Sequence, residues 1–122
     1  MRSPDGAEAK CLMRELTDDE RTLLERARAA GRVAYCPYSE FPVGAAVETE
    51  KGVYIGCNIE NASYGLAICA ERVALYGAVA AGARHIQRLA VSCLQAEGEA
   101  APGSRMPCGA CRQVIAEFMA LD

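Results

Sequence analysis

Val43-Gly44-Ala45-Ala46-Val47-Glu48-Thr49-Glu50-Lys51-Gly52-Val53-Tyr54-Ile55-Gly56-Cys57 is the stretch that decides the architecture. Val43 to Thr49 and Val53 to Cys57 are both β-prone. The linker Glu50-Lys51-Gly52 reads as a hairpin turn whose glycine tolerates positive φ. Helical signals flank this pair on both sides. Upstream, Thr17-Asp18-Asp19-Glu20 is a capping box, in which the threonine hydroxyl takes an orphan amide and the glutamate reaches back. It predicts a helix over about 18–34, with Leu23, Leu24, Ala27, Ala30 and Ala34 facing inward and Cys36-Pro37 as its stop. Downstream, a polar loop from Asn58 to Gly65 leads to a helix over about 68–81, ended by Gly82. Ile86 to Leu94 reads as a third, largely buried strand. A loop from Gln95 to Pro107 then leads to a final helix over about Cys108 to Met119. The order α-β-β-α-β-α predicts an α/β domain of three layers, α-β-α, around a mixed sheet. Residues 16–122 form that domain, and residues 1–15 read as a flexible tail.

Composition narrows the function. Acidic residues outnumber basic ones by 16 to 13, and no basic stripe suits a phosphate backbone. The expected ligand is a small molecule, not polymeric nucleic acid. The seven cysteines are an odd number, and Met1 to Lys10 lacks an apolar run of signal-peptide type. This reads as reduced thiols and metal ligands in a soluble, cytoplasmic protein. The most apolar stretch, Leu66 to Ala83, carries Glu71 and Arg72 side by side, which argues against a membrane span.

The chemistry concentrates in two short segments. In Cys108-Gly109-Ala110-Cys111, the two sulfurs share one face of a helix's first turn, where the helix dipole favours thiolate. Cys69-Ala70-Glu71 offers a third sulfur and a carboxylate at the start of another helix. Three protein ligands with an open position describe a catalytic zinc site. A water there ionises far more easily than in bulk and needs a proton shuttle, for which Glu71 is the candidate. Three thiolates would blunt the metal's acidity, and Arg72 and Gln113 can offset this as donors to the sulfurs. The competing reading of the C-x-x-C is a redox pair. Cys11, Cys36, Cys57 and Cys93 read as small buried hydrophobes.

Cys69-Ala70-Glu71 with Pro107-Cys108-Gly109-Ala110-Cys111 resembles the signature of the zinc nucleobase deaminases, H-x-E followed by P-C-x-x-C. Cysteine in the first ligand position resembles the cytidine deaminases of the small homotetrameric type. The blocks Ala34 to Ala46, Gly56 to Ala62 and Ile68 to Arg72 are similar to that family as well, and the likeness runs from about residue 18 to 118. The resemblance implies one Zn²⁺ per chain on Cys69, Cys108 and Cys111, with Glu71 as catalytic proton shuttle. It implies that Phe41 packs on the pyrimidine, that Asn58 and Glu60 bind the ribose 3′-hydroxyl, and that the Ala70 backbone meets the base carbonyl. It also implies that Arg72 orients the sulfurs and that the enzyme is a homotetramer, with Tyr64 near another subunit's site. The implied reaction is hydrolytic deamination of cytidine and deoxycytidine, a step of pyrimidine salvage. A related deaminase for a nucleoside antibiotic and a zinc-stabilised assembly module without turnover are the other readings. Asn58, Glu60 and Phe41 favour ordinary cytidine, and Glu71 has no use in a purely structural site.

The family chain continues past the C-x-x-C helix with two more strands and a helix, so this sequence reads as C-terminally shortened. Ile86 to Leu94 would then expose an edge, and open edges recruit other strands. The expectation is that the natural polypeptide extends beyond Asp122 or that neighbouring subunits cover the edge.

Overall fold

The computed structural model describes residues 15–94 and 109–119. Helix α1 spans Asp18–Gly31, strands β1 and β2 span Val43–Thr49 and Gly52–Cys57, and a 3-10 turn spans Tyr64–Leu66. Helix α2 spans Ala70–Ala80, strand β3 spans Ile86–Cys93, and helix α3 spans Gly109–Phe118. The capping box forms as the sequence requires: the Glu20 N–H donates to Thr17 Oγ1 at 3.2 Å, and the Thr17 N–H donates to Glu20 Oε1 at 2.9 Å. Helix α1 stops at Gly31, short of the expected residue 34. Val33 and Ala34 instead donate to the carbonyls of Ala30 and Gly31 in tighter turns, because Tyr35 must reach Asn58 O at 3.0 Å. The tail before Glu15, with Cys11, and the loop 95–107 lie outside the described residues.

The strand order is β2-β1-β3, with both pairings antiparallel. Helix α2 therefore crosses from β2 over β1 to β3, and β2 and β3 run the same way on either side of β1. Among the described residues, the mixed character expected from the sequence enters as isolated parallel bridges, one between Tyr35 and Ile59 past the end of β2 and one at the outer edge of β3. There Ile86 makes a parallel bridge to Met119, beyond the end of α3.

Period-two alternation along β1 splits the core into two layers. Ala45 and Val47 face Ala70, Ala74, Leu75 and Ala78 of α2, with Val114, Ile115 and Phe118 of α3 packed alongside. Ala46 faces the other way, against Leu23 and Ala27 of α1. This is the three-layer α-β-α arrangement. Small residues let the helices come close. A Cβ on Gly44 would sit 1.8 Å from the Ala27 carbonyl oxygen and 2.4 Å from the Gly31 nitrogen. A Cβ on Gly56 would sit 2.4 Å from Ala74 N and 2.8 Å from Ala70 O, so Gly56 is what seats the start of α2 directly on β2.

Those contacts are with backbone and cannot yield by a rotamer change. Gly44→Ala is expected to destabilise the fold by about 3 kcal/mol or more. Gly77, on α2, has open space where a Cβ would go. Gly77→Ala is expected to stabilise by about 0.5–1 kcal/mol through its gain in helix propensity. Urea unfolding of both variants checks the pair, and a neutral Gly44→Ala would refute the close approach.

Candidate metal and nucleoside site

Cys69 is the N-cap of α2, in an extended conformation (φ −79°, ψ 155°). It is held there because Ile68, just before it, exchanges hydrogen bonds with Ile59 at 2.9 and 3.0 Å. The helix thus begins at Ala70 and not at residue 68, and its first turn carries Ala70 and Glu71 inward, both buried. Cys111 lies in the first turn of α3 and is 0% exposed. The Cys69 and Cys111 sulfurs and a Glu71 carboxylate oxygen all lie within 4.8 Å of one another. Among the described residues, two helix N-termini with their positive dipole ends thus meet at one buried cluster. Cys108 lies outside the described residues.

Glu71 is 6% exposed. Burial pushes its carboxyl above the usual range, and its own backbone N–H, Arg72 and the Cys111 thiol act against that rise. The Arg72 Nη2 donates to Cys69 Sγ at 3.6 Å. Hydrogen bonding to the Cys69 thiol is the main cause that holds the Arg72 guanidinium above its ordinary range; Cys111 adds to it, and burial opposes it. The buried Arg72 Nε has no hydrogen-bond partner among the described residues. Gln113 is exposed on α3. Two helical positions from Cys111 turn a side chain by roughly 200°, which points Gln113 away from the cluster.

The donor set fits zinc. Two thiols and a carboxylate are among the ligand types zinc takes, and their mutual spacing suits a single small ion. None of the five described cysteines forms a disulfide. Cys93 is buried, while Cys36 and Cys57 are half-buried. Burial, and secondarily Cys36, pushes the Cys57 thiol up.

The second group of sequence candidates sits on the segment leaving β2. Tyr35 and Ile68 both bridge to Ile59, so residues 58–60 stay extended. The Asn58 and Glu60 side chains therefore project to one side. Both engage the loop before β1. Asn58 Oδ1 accepts from the Val43 N–H at 2.9 Å, and Asn58 Nδ2 donates to the Phe41 carbonyl at 3.0 Å. Glu60 Oε1 accepts from the N–H groups of Tyr38 and Ser39 at 2.9 and 3.2 Å, and Oε2 accepts from the Ser39 hydroxyl. The Ser39 hydroxyl is the main cause that holds the Glu60 carboxyl below the usual range; the Ser39 and Tyr38 amides add to it, against partial burial. Phe41 is half-buried at the end of this loop.

An open pocket of about 330 Å³ is lined by Tyr38, Ser39, Glu60, Asn61, Tyr64 and Ala67. Sequence reasoning missed Ser39, Tyr38 and Asn61 here. Their only signal was proximity to Phe41 and Glu60 in the sequence. Tyr64 itself is 85% exposed.

Residues 17–121 match the sequence profile of the cytidine and deoxycytidylate deaminase zinc-binding region. The chain is 50% identical over 101 residues to a cytidine deaminase of Sporosarcina psychrophila, covering 82% of this chain and 70% of that protein. It is 42% identical over 100 residues to a cytidine deaminase of Mycobacterium tuberculosis, covering 81% and 71% of the two chains. Among solved structures, the cytidine deaminase of Burkholderia pseudomallei aligns with a TM-score of 0.70 at 50% identity, over 84% of this chain and 77% of that one. The crystal structure of cytidine deaminase from Mycobacterium tuberculosis aligns with a TM-score of 0.70 at 38% identity, over 84% and 80%.

Proposed function

Because the chain belongs to the cytidine and deoxycytidylate deaminase family of zinc hydrolases, we propose that it deaminates the free nucleosides cytidine and deoxycytidine in pyrimidine salvage. The observation that carries this is the buried Glu71 carboxylate set between two cysteines at the starts of α2 and α3. Cys69 and Cys111, with Cys108 as the third ligand, would hold the zinc. When bound, zinc supplies the Lewis acidity that makes a water nucleophilic at neutral pH. Glu71 does the proton work. It accepts a proton from the attacking water and passes it to N3 of the base. It then takes the second proton from the hydroxyl added at C4, as that becomes the carbonyl, and delivers it to the departing amine. Water and cytidine thus give uridine and ammonia, with every proton accounted for.

Other residues position the substrate. Phe41 packs on the pyrimidine ring, the Ala70 backbone meets the base carbonyl, and Asn58 and Glu60 meet the sugar. Arg72 shares the thiolate charge of Cys69 and Cys111. Gln113, exposed and pointing away from the cluster, takes no part in it. The pocket between Glu60 and Tyr64 is open enough for a nucleoside. Its carboxylate suits a neutral sugar hydroxyl and opposes a phosphate. Cytidine monophosphate is therefore expected to have a specificity constant at least about tenfold below that of cytidine. Spectrophotometric assays of the two substrates decide it, and equal constants would sink the free-nucleoside reading.

The enzyme acts as a cytoplasmic homotetramer in this reading. Support comes from apolar side chains that one copy leaves in water, among them Tyr64 at 85% and Leu66 at 70% exposed, next to the pocket. Such a patch is typical of a subunit contact. No helix among the described residues is long and apolar enough to cross a membrane. Light scattering on the purified chain tests the assembly, and a monomer of full activity would refute it.

A further inference from the structure

We propose that Ser39 is a positioning residue that sets selectivity for a hydroxylated sugar, by locking the Glu60 carboxylate and the Phe41 backbone into one unit. The proposal rests on the reading of Glu60 as the sugar-facing group. Its own basis is a count of hydrogen-bonding capacity in the loop between α1 and β1.

A carboxylate has about four acceptor directions, two on each oxygen. Glu60 Oε1 uses both of its own, on the N–H groups of Tyr38 and Ser39. Glu60 Oε2 uses one, on the Ser39 hydroxyl. Among the described residues, the single direction left over belongs to Oε2, the oxygen that Ser39 touches. A substrate hydroxyl that donates to Glu60 must take this place, and Ser39 fixes where it points. Both residues line the open pocket, so the place is accessible.

The same hydroxyl has a second task. Ser39 Oγ accepts from the Phe41 N–H at 3.2 Å. It thereby bridges Glu40, which adopts a left-handed conformation with φ 54°. A non-glycine residue in that region costs free energy and persists only where its surroundings hold it. Ser39 on one side, and the Glu40 N–H donated to Cys36 O at 2.8 Å on the other, supply that hold. One hydroxyl thus links the group read as meeting the sugar to the ring read as meeting the base. Ser39 is exposed and fills no part of the core, so its truncation removes hydrogen bonds without opening a cavity.

The test uses the purified, zinc-loaded full chain with cytidine and with 2′,3′-dideoxycytidine, which lacks the sugar hydroxyls. Ser39→Ala is expected to raise KM for cytidine by about tenfold, a hydrogen bond's worth. KM for dideoxycytidine should rise by a clearly smaller factor, the share that acts through the Phe41 backbone, and kcat for cytidine should hold within about twofold. Ser39→Thr, which keeps the hydroxyl, should restore the cytidine KM. An equal change with both substrates, or none with either, would overturn the role of Ser39, as would failure of threonine to restore. Glu60→Gln separates the two levels. It should erase the preference for cytidine over dideoxycytidine. If it leaves that preference intact, the sugar reading fails and the Ser39 proposal falls with it. If it erases the preference while Ser39→Ala does not, only the Ser39 proposal falls.

Discussion

Glu71→Gln is expected to keep about one zinc per chain while losing at least about 100-fold in turnover, the usual contribution of a general acid–base group. The cluster makes this a real test. Glu71 lies close enough to Cys69 and Cys111 to be a ligand itself. Two observations favour the shuttle. Burial raises the carboxyl's affinity for a proton, which suits a group that must pick one up and release it. A further cysteine, Cys108, is also available to complete three sulfur ligands with Cys69 and Cys111. Glutamine keeps the size and some hydrogen bonding of the side chain but cannot carry a proton. Metal analysis by atomic absorption and a turnover assay on one preparation decide the role. Loss of zinc together with activity would make Glu71 a ligand and overturn the assignment.

The converse result is expected at Cys111. Cys111→Ala should reduce bound zinc to a small fraction of one per chain and abolish measurable turnover. It should also loosen α3, because the thiol is fully buried where α3 meets α2. A metal present at about 100 times its Kd stabilises the folded state by about 2.7 kcal/mol. For a domain of this size that is roughly 10 °C in Tm, so a strong chelator added to the native protein should lower Tm by about this much. Added zinc should restore it in the native chain and not in Cys111→Ala. Cys36→Ala, whose half-buried thiol is outside the cluster, serves as the comparison and should hold its zinc. A chelated protein that melts at its original temperature would refute a zinc-linked junction of α2 and α3.

Local signals carried much of the fold into the sequence. The Thr17-to-Glu20 capping box, the hairpin turn at Gly52 with φ 126° and the stop at Gly82 with φ 106° are each set by a few adjacent residues. They were legible because propensity and tertiary structure agree there. The early end of α1 was not legible. It depends on Tyr35 pairing with residues 58–60 and on Gly31 lying against Gly44, contacts between distant parts of the chain. The sheet's parallel edge was legible only as a class. Its position depends on Met119 returning to Ile86.

The site divides in the same way. Cys69 and Glu71 lie two positions apart at a helix start, so their meeting follows from local geometry. Their meeting with Cys111 follows from the recurring pattern of the two segments, and the fold brings them within 4.8 Å. Asn58 and Glu60 were legible as a pair on one side of an extended segment. The hydrogen bonds they make to residues 38–43 were not. The left-handed Glu40 carries no mark in the sequence, since glycine or asparagine is the residue that ordinarily signals such a bend. Ser39 was overlooked for the same reason, because its importance lies in that bend and not in its residue type.

The activity proposed for the Cys69, Glu71 and Cys111 cluster is zinc-dependent deamination of cytidine. The most direct measurement follows the ultraviolet absorbance of cytidine during incubation with the purified chain, with zinc determined on the same sample. Conversion to uridine with equimolar ammonia is expected at about one zinc per chain, lost on chelation and regained with zinc. A zinc-loaded, folded chain that leaves cytidine unchanged would contradict it.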